Sequence, residues 1–279
     1  MLHAVSYSAT FDLCKLVCGT RWSLLSRHRH ACNLLADDDI LVALVSETHG
    51  NGPFHIVIPG ARFDALPARP AIEWAATRLI VGHCTIDLRS IARWDPQLPQ
   101  LHHFETLIHL APLFPQMQKH SPLYNGLPAL TARAQQGIEC LQWGTAHRNQ
   151  QSIAEGALLL AGLGPGLTPA GDDFLLGFLA ALSAIPQSQP GNEIRRLVVN
   201  SAVPLTTQLS AAWLHHAGLG HFGELWHRLI NTLNVGEPEQ IAQSAFHIAQ
   251  VGGSSGADAL CGFFTCIELM HPSRHSLLP

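Results

Sequence analysis

The chain has 279 residues, a net charge of −4 with histidine counted as neutral, and only 13% charged residues. That length is enough for one large or two moderate domains with a proper core. Lys15 and Lys119 are the only lysines and the arginines are scattered, which excludes nucleic acid or a polybasic membrane patch as the main partner, since both need clustered cations.

From about residue 20 to 95 the pattern favours strands and turns. "DDDILVALVSE" (37–47) has a β-branched apolar centre, "THGNGP" (48–53) is a turn cluster, and "FHIVIPG" (54–60) follows as another strand. Together they predict a hairpin with its tip at Asn51, Gly52 and Pro53. "TRLIVGHCTIDL" (77–88) reads as one further strand or two. Beyond "WDPQLPQ" (94–100) helical periodicity takes over. Leu101, Phe104, Leu107 and Ile108 fit a short amphipathic helix that Pro112 would end. Leu127, Leu130, Ala134, Ile138 and Leu141 fit a second helix, with Pro128 near its start. From 150 onward nearly every segment is helical in pattern. The expected class is α+β: a β-rich N-terminal domain over 1–97, a mainly helical domain over 98–270, and a loose tail, "HPSRHSLLP", over 271–279.

The cysteines are odd in number, dispersed and free of any C-x-x-C pair, so they are expected to be reduced thiols in a cytoplasmic protein. Cys14 and Cys18 are spaced to share a helical face, as two buried thiols also would. The opening "MLHAVSYSATFDLCK" does not have the form of a signal peptide. The longest apolar run, Phe174 to Ile185, is too short to cross a bilayer, and no membrane partner is expected.

One internal echo stands out. "GDDFLLGF" (171–178) matches "GADALCGF" (256–263) at Gly171/Gly256, Asp173/Asp258, Leu175/Leu260, Gly177/Gly262 and Phe178/Phe263. Each follows a loop of small residues, "GPGLTPA" in one case and "VGGSS" in the other, so both read as helix starts. Thr168 is a good N-cap with Pro169 at the first helical position, and Ser254 or Ser255 suits the second helix in the same way. Asp173 and Asp258 fall near the first turn, where the helix dipole favours negative charge. Four residues on come Gly177 and Gly262. Glycine inside a helix costs about 1 kcal/mol relative to alanine, and close approach of two backbones would offset that. The helices are therefore expected to cross at these glycines, bringing Asp173 and Asp258 together at one end.

Helix capping with tight packing explains such loops. So does a ligand site, in which unpaired amides of Gly164, Gly166, Leu167 and Thr168, with those around Gly253, Ser254, Ser255 and Gly256, form an anion cradle. The loop has no lysine and is not a Walker sequence. Thr206, Thr207 and Ser210 are spaced to line one helical face, either toward the same pocket or bonded back to their own helix. The eighteen histidines lack the spacing of zinc sites, and no serine-hydrolase elbow occurs.

"GLGPGLTPAGDD" (162–173), "GGSSGADALCGF" (252–263) and "TTQLSAAWLHHAGLGHF" (206–222) resemble the AllH-type family of bacterial proteins, related to the smaller subunit of oxamate carbamoyltransferase. The resemblance continues through "GNGPFHIVIPGARFDAL" (50–66) and covers roughly residues 20 to 270. It implies transfer of a carbamoyl group between carbamoyl phosphate and oxamate, giving oxalurate and phosphate, within a complex containing two other kinds of subunit. One of these is similar to succinyl-CoA synthetases. All the ligands are small anions, which suits amide-lined helix starts but not neighbouring carboxylates. Three roles are open for Asp173 and Asp258: capping and packing, contact with a Mg²⁺ ion between carboxylate and substrate, or acceptance of hydrogen bonds from a substrate NH₂. Asp172 is expected to cap or support. Three functions are open in turn: a carbamoyltransferase subunit, a non-catalytic subunit sensing a small carboxylate or phosphate, and a stand-alone enzyme on the same scaffold.

Overall fold

The computed structural model describes residues 1–16, 21–186 and 189–270. Cys18 and the tail over 271–279 lie outside them. The chain is α+β and divides into two compact units, Met1–Gln97 and Leu98–Pro279.

The first unit contains β1 (Leu2–His3), β2 (Ser6–Ser8), the one-turn α1 (Leu13–Leu16), β3 (Trp22–Arg27), β4 (Ala31–Ala36), β5 (Leu41–Val45), β6 (His55–Val57), β7 (Ile72–Ala75), β8 (Arg78–Val81), β9 (Cys84–Asp87) and β10 (Ala92–Trp94). They form a four-stranded sheet, β1-β9-β8-β7, and a six-stranded sheet, β10-β2-β6-β5-β4-β3. All five residues of β5 are buried, as the continuous "LVALV" requires of a strand covered on both faces. "TRLIVGHCTIDL" becomes two antiparallel strands, β8 and β9, turning at Gly82 (φ 58°).

The expected hairpin at Asn51–Pro53 is not formed. β5 and β6 are neighbours but parallel, with Ala43 opposite His55 and Val45 opposite Val57. The intervening segment makes two turns rather than one: the His49 amide donates to the Ser46 carbonyl, and the His55 amide to the Gly52 carbonyl. Two reversals restore the original direction. Gly52 passes so close to His55 that a Cβ there would lie 2.5 Å from the ring. The hairpin is instead β4–β5, closed at "DDD", where Asp39 adopts φ 63° and the Ala36 amide donates to Ile40 (2.9 Å).

The second unit contains α2 (Phe114–His120), α3 (Pro122–Asn125), α4 (Pro128–His147), α5 (Gln150–Leu160), α6 (Ala170–Ala184), α7 (Gln189–Ala202), α8 (Gln208–Gly218), α9 (Glu224–Val235), α10 (Pro238–Ala249) and α11 (Ser255–Met270). Short 3-10 segments occur at Phe104–Leu113 and Val203–Leu205. The helix expected to begin near Leu101 and stop at Pro112 is the first of these: it starts at Phe104, includes Pro112, and leads directly into α2. A proline at the junction of two short helices removes one N–H without breaking a long ladder. Every residue of α6 except Leu176 is buried, as an all-round apolar helix should be.

The α6 and α11 backbones touch. A Cβ on Gly177 would sit 1.6 Å from the Ala259 carbonyl oxygen, and one on Gly262 would sit 1.9 Å from that of Phe174. The glycine cost recognised in the sequence is the condition for this crossing. Gly144 and Gly156 do the same between α4 and α5, where added Cβ atoms would meet backbone nitrogens at 2.6 Å.

Candidate functional site

The two helix starts converge at the end of this crossing. Their loops meet directly: the Thr168 and Ser255 hydroxyls are 3.2 Å apart. Gly164 (φ 113°) and Gly166 (φ 105°) hold left-handed conformations that side chains disfavour, and these turns shape the first loop. Among the described residues, no hydrogen bond engages the amides of Gly164, Gly166, Leu167, Thr168, Gly253, Ser254 or Ser255. Gly166, Leu167 and Gly253 are exposed, so these donors are within reach of a solute. Gly256 differs. Its amide donates to Val251 (3.1 Å), and a Cβ there would strike the Ile248 carbonyl oxygen at 1.8 Å. It is a packing glycine, not part of an open cradle.

Thr168 is not the N-cap of α6. That position is taken by Pro169, which makes no side-chain cap, and the Asp172 and Asp173 amides donate to the Pro169 carbonyl instead. The Thr168 hydroxyl is thereby released to reach Ser255 across the two loops.

Thr206 also departs from expectation. α8 starts at Gln208, so Thr206 and Thr207 precede the helix and share no helical face with Ser210. Thr207 is the N-cap, accepting from the Ser210 amide (3.1 Å). Its hydroxyl donates to the Leu167 carbonyl, as does that of Ser210 (3.5 Å). The Thr206 hydroxyl donates to Asp172 Oδ2, while Asp172 Oδ1 accepts from the Gly162 amide (2.9 Å). These groups brace the glycine-rich loop from behind. Burial raises the Asp172 pKa, and the bonds from Thr206, Gly162 and Ser210 partly offset that. Thr206→Val should leave a buried carboxylate oxygen without its donor and cost about 1–3 kcal/mol in denaturant unfolding, with Thr206→Ser restoring most of it.

Asp173 and Asp258 are different in kind. They are 7% and 0% exposed, and among the described residues Oδ2 of each has no hydrogen-bond partner. Burial pushes the Asp173 pKa well up; the nearby charges of Asp258 and Asp172 add to this, and the Ser255 and Thr168 hydroxyls oppose it. Asp173 thus lies under the junction of the loops and within electrostatic reach of Asp258. Burial raises Asp258 to about 7 against the hydroxyls of Ser121 and Ser254. Ser121, which donates to Asp258 Oδ1, was not foreseen. "HSPLY" does carry the signature of a Ser N-cap before proline, and Ser121 accepts from the Leu123 amide (3.2 Å). Nothing local points to a partner 137 residues away.

Among the described residues no group of three or more His, Cys, Asp or Glu side chains is placed to hold a metal ion. The described cysteines Cys32, Cys84, Cys140, Cys261 and Cys266 are free thiols. No helix among the described residues is long and apolar enough to cross a membrane.

A family described as oxamate carbamoyltransferase subunit AllH matches residues 160–267, and one described as the AllH family N-terminal domain matches 4–93. The chain belongs to the AllH family. The first AllH match contains both loops, all three aspartates and Thr206–Ser210, whereas Ser121 lies between the two matched stretches. No solved structure matches this AllH chain. The AllH description is of a subunit of a carbamoyltransferase.

Proposed function

We propose that this chain is the subunit that holds the small anionic substrate in carbamoyl transfer between carbamoyl phosphate and oxamate. The observation that carries this reading is the meeting of two glycine-rich helix starts beside two buried carboxylates, with the amides of Gly164, Gly166, Leu167, Thr168, Gly253, Ser254 and Ser255 unengaged among the described residues. In the transfer, the oxamate nitrogen attacks the carbamoyl carbon, the new C–N bond forms and the C–O bond to phosphate breaks. Phosphate leaves, and one N–H proton passes to a carboxylate of the Asp173–Asp258 pair. Amides at the helix starts bind phosphate or carboxylate oxygens, and the same donors stabilise the tetrahedral oxyanion.

The site offers amides, hydroxyls and carboxylates, and no basic side chain contributes to the electrostatics of Asp173 or Asp258. Exposed Leu167, Leu205 and Val251 on or beside the loops suit a surface that other subunits cover, and such subunits would bring the missing cation or Mg²⁺. Free thiols suit the reducing cytoplasm.

The test is phosphate release from carbamoyl phosphate with oxamate, with and without Mg²⁺, using the chain alone and with partner subunits. Turnover is expected only in the assembled complex. Asp173→Asn should abolish it without lowering the thermal midpoint. No turnover in any combination, together with no binding of either ligand, would sink the proposal.

A further inference from the structure

A cavity of about 480 Å³ opens where α7 lies against the start of α5, with Arg148 and Gln150 on one side and Glu193 and Arg196 of α7 on the other. Ligand pockets run from about 300 to 1,000 Å³, so the space suits a small organic molecule. Its floor is apolar: Ile153 and Ile194 line it and are 1% and 4% exposed, whereas both arginines are exposed. α5 runs 11 residues from this cavity toward the loop at Gly162, about 16 Å of helix, so the cavity is separate from the glycine-rich loops. Among the described residues neither guanidinium makes an ion pair or a side-chain hydrogen bond. Arg148 is the C-cap of α4 at φ 55°, where glycine is usual because a β-carbon is disfavoured. An arginine there costs the backbone and gains no protein partner. Glu193 Oε1 accepts from Gln150 Nε2 (2.6 Å), tying α7 to α5, and its charge offsets one guanidinium and leaves the other in excess. Arg195 Nη2 donates to Asn192 Oδ1 (2.6 Å), which holds the Asn192 side chain with its NH₂ as a remaining donor.

We propose that this cavity binds a nucleoside monophosphate, its phosphate on Arg148 and Arg196 and its base on the Ile153–Ile194 floor. Guanidinium forks match phosphate oxygens two at a time, and two of them flank the cavity. The flat apolar face of a base covers the buried isoleucines. Its polar edge meets one donor and one acceptor, the Asn192 NH₂ and Gln150 Oε1, which are the halves of those amides left over from their protein bonds. Glu193 keeps Oε2 to accept a ribose hydroxyl. Simpler ligands satisfy only part of this set. Inorganic phosphate or a short dicarboxylate engages the arginines and leaves the floor wet. A fatty acid covers the floor but brings no edge for Asn192 and Gln150. A nucleoside without phosphate leaves both guanidiniums unused.

Calorimetry on the full chain near pH 7 would use AMP, GMP, CMP and UMP, with the matching nucleosides, ribose 5-phosphate and inorganic phosphate for comparison. At least one monophosphate is expected to bind about tenfold or more tighter than its nucleoside, ribose 5-phosphate and phosphate, each of which lacks one of the engaged groups. Arg148→Gly should weaken that monophosphate by about tenfold or more without lowering the thermal midpoint, because glycine takes the left-handed cap without strain. Arg196→Ala, on an exposed part of α7, should weaken it comparably and leave the midpoint nearly unchanged. Asp173→Asn should leave monophosphate binding as it is, since the loops lie beyond the far end of α5. If the glycine variant does not fold, Arg196→Ala and the ligand ratios on the parent chain decide. No binding by any of the four below about 1 mM, or phosphate or ribose 5-phosphate within about threefold of the best of them, overturns the nucleotide site. So does an affinity indifferent to both arginine changes, or one lost in a folded Asp173→Asn chain, which would put the ligand at the loops.

Discussion

Gly177→Ala is expected to destabilise the helical unit by about 3–5 kcal/mol or more, since its added Cβ makes the tightest contact found at any described glycine. The added Cβ would lie 1.6 Å from the Ala259 carbonyl oxygen, and backbone cannot rotate away as a side chain can. Helix propensity alone predicts the reverse, a gain of about 1 kcal/mol on replacing a mid-helix glycine by alanine. The sign therefore reports whether α6 and α11 cross in solution as they do here. Gly262→Ala should behave alike, its Cβ being 1.9 Å from the Phe174 oxygen. Gly253→Ala, with nothing within 4 Å, is the control and should change stability by less than about 1 kcal/mol. Denaturant midpoints at constant m-value make the measurement.

Asp258→Asn is expected to make the folded chain more stable above neutral pH. Burial holds the Asp258 carboxyl at about 7 in the folded state, against the ordinary carboxylate range in the unfolded chain. Between about pH 4 and pH 7 the folded state therefore binds the extra proton, and stability falls as pH rises. The contribution is fully present below the unfolded pKa and is lost by the time pH has passed the folded one. Asp173, raised by burial and by the Asp258 charge, slopes the same way. For Asp258 the whole excursion amounts to at most about 4 kcal/mol. Asparagine keeps an acceptor for the Ser121 hydroxyl and never ionises. Thermal midpoints of parent and variant should nearly coincide below about pH 4, separate as pH rises, and differ by several degrees by pH 8, in favour of the variant. Equal pH slopes for the two proteins would show that Asp258 is not held protonated by the fold. An activity loss accompanying the gain would mark the buried acid as kept for its chemistry at the expense of stability.

The helix crossing was legible because two signals agreed. The "GDDFLLGF"/"GADALCGF" echo gave equivalent positions, and the propensity cost of Gly177 and Gly262 demanded a steric reason. Their aspartates followed by simple periodicity. The direction of β6 was not legible, because turn residues show where a chain bends and not how many times, and "SETHGNGP" bends twice. Thr206 and Thr168 were each displaced from their expected setting by one or two residues at a helix start. That is the scale on which capping chemistry leaves several local solutions open. Both threonines still reach the site, through Asp172 and Ser255. Ser121 was out of reach because its partner depends on the tertiary fold alone.

The strand order of the first unit bears on how the chain is made. Among the described strands β1 pairs with β9 alone, and β2 is flanked by β6 and β10, so the earliest strands join the latest ones in parallel. As the polypeptide leaves the ribosome, residues 2–3 must wait for residues 86–87, and Ser6–Ser8 keep an open edge until Ala92–Trp94 emerge. The β3–β4–β5 meander is complete far sooner. Closure of the first unit is thus a late, non-local event, which makes its opening residues the segment most in need of protection during synthesis.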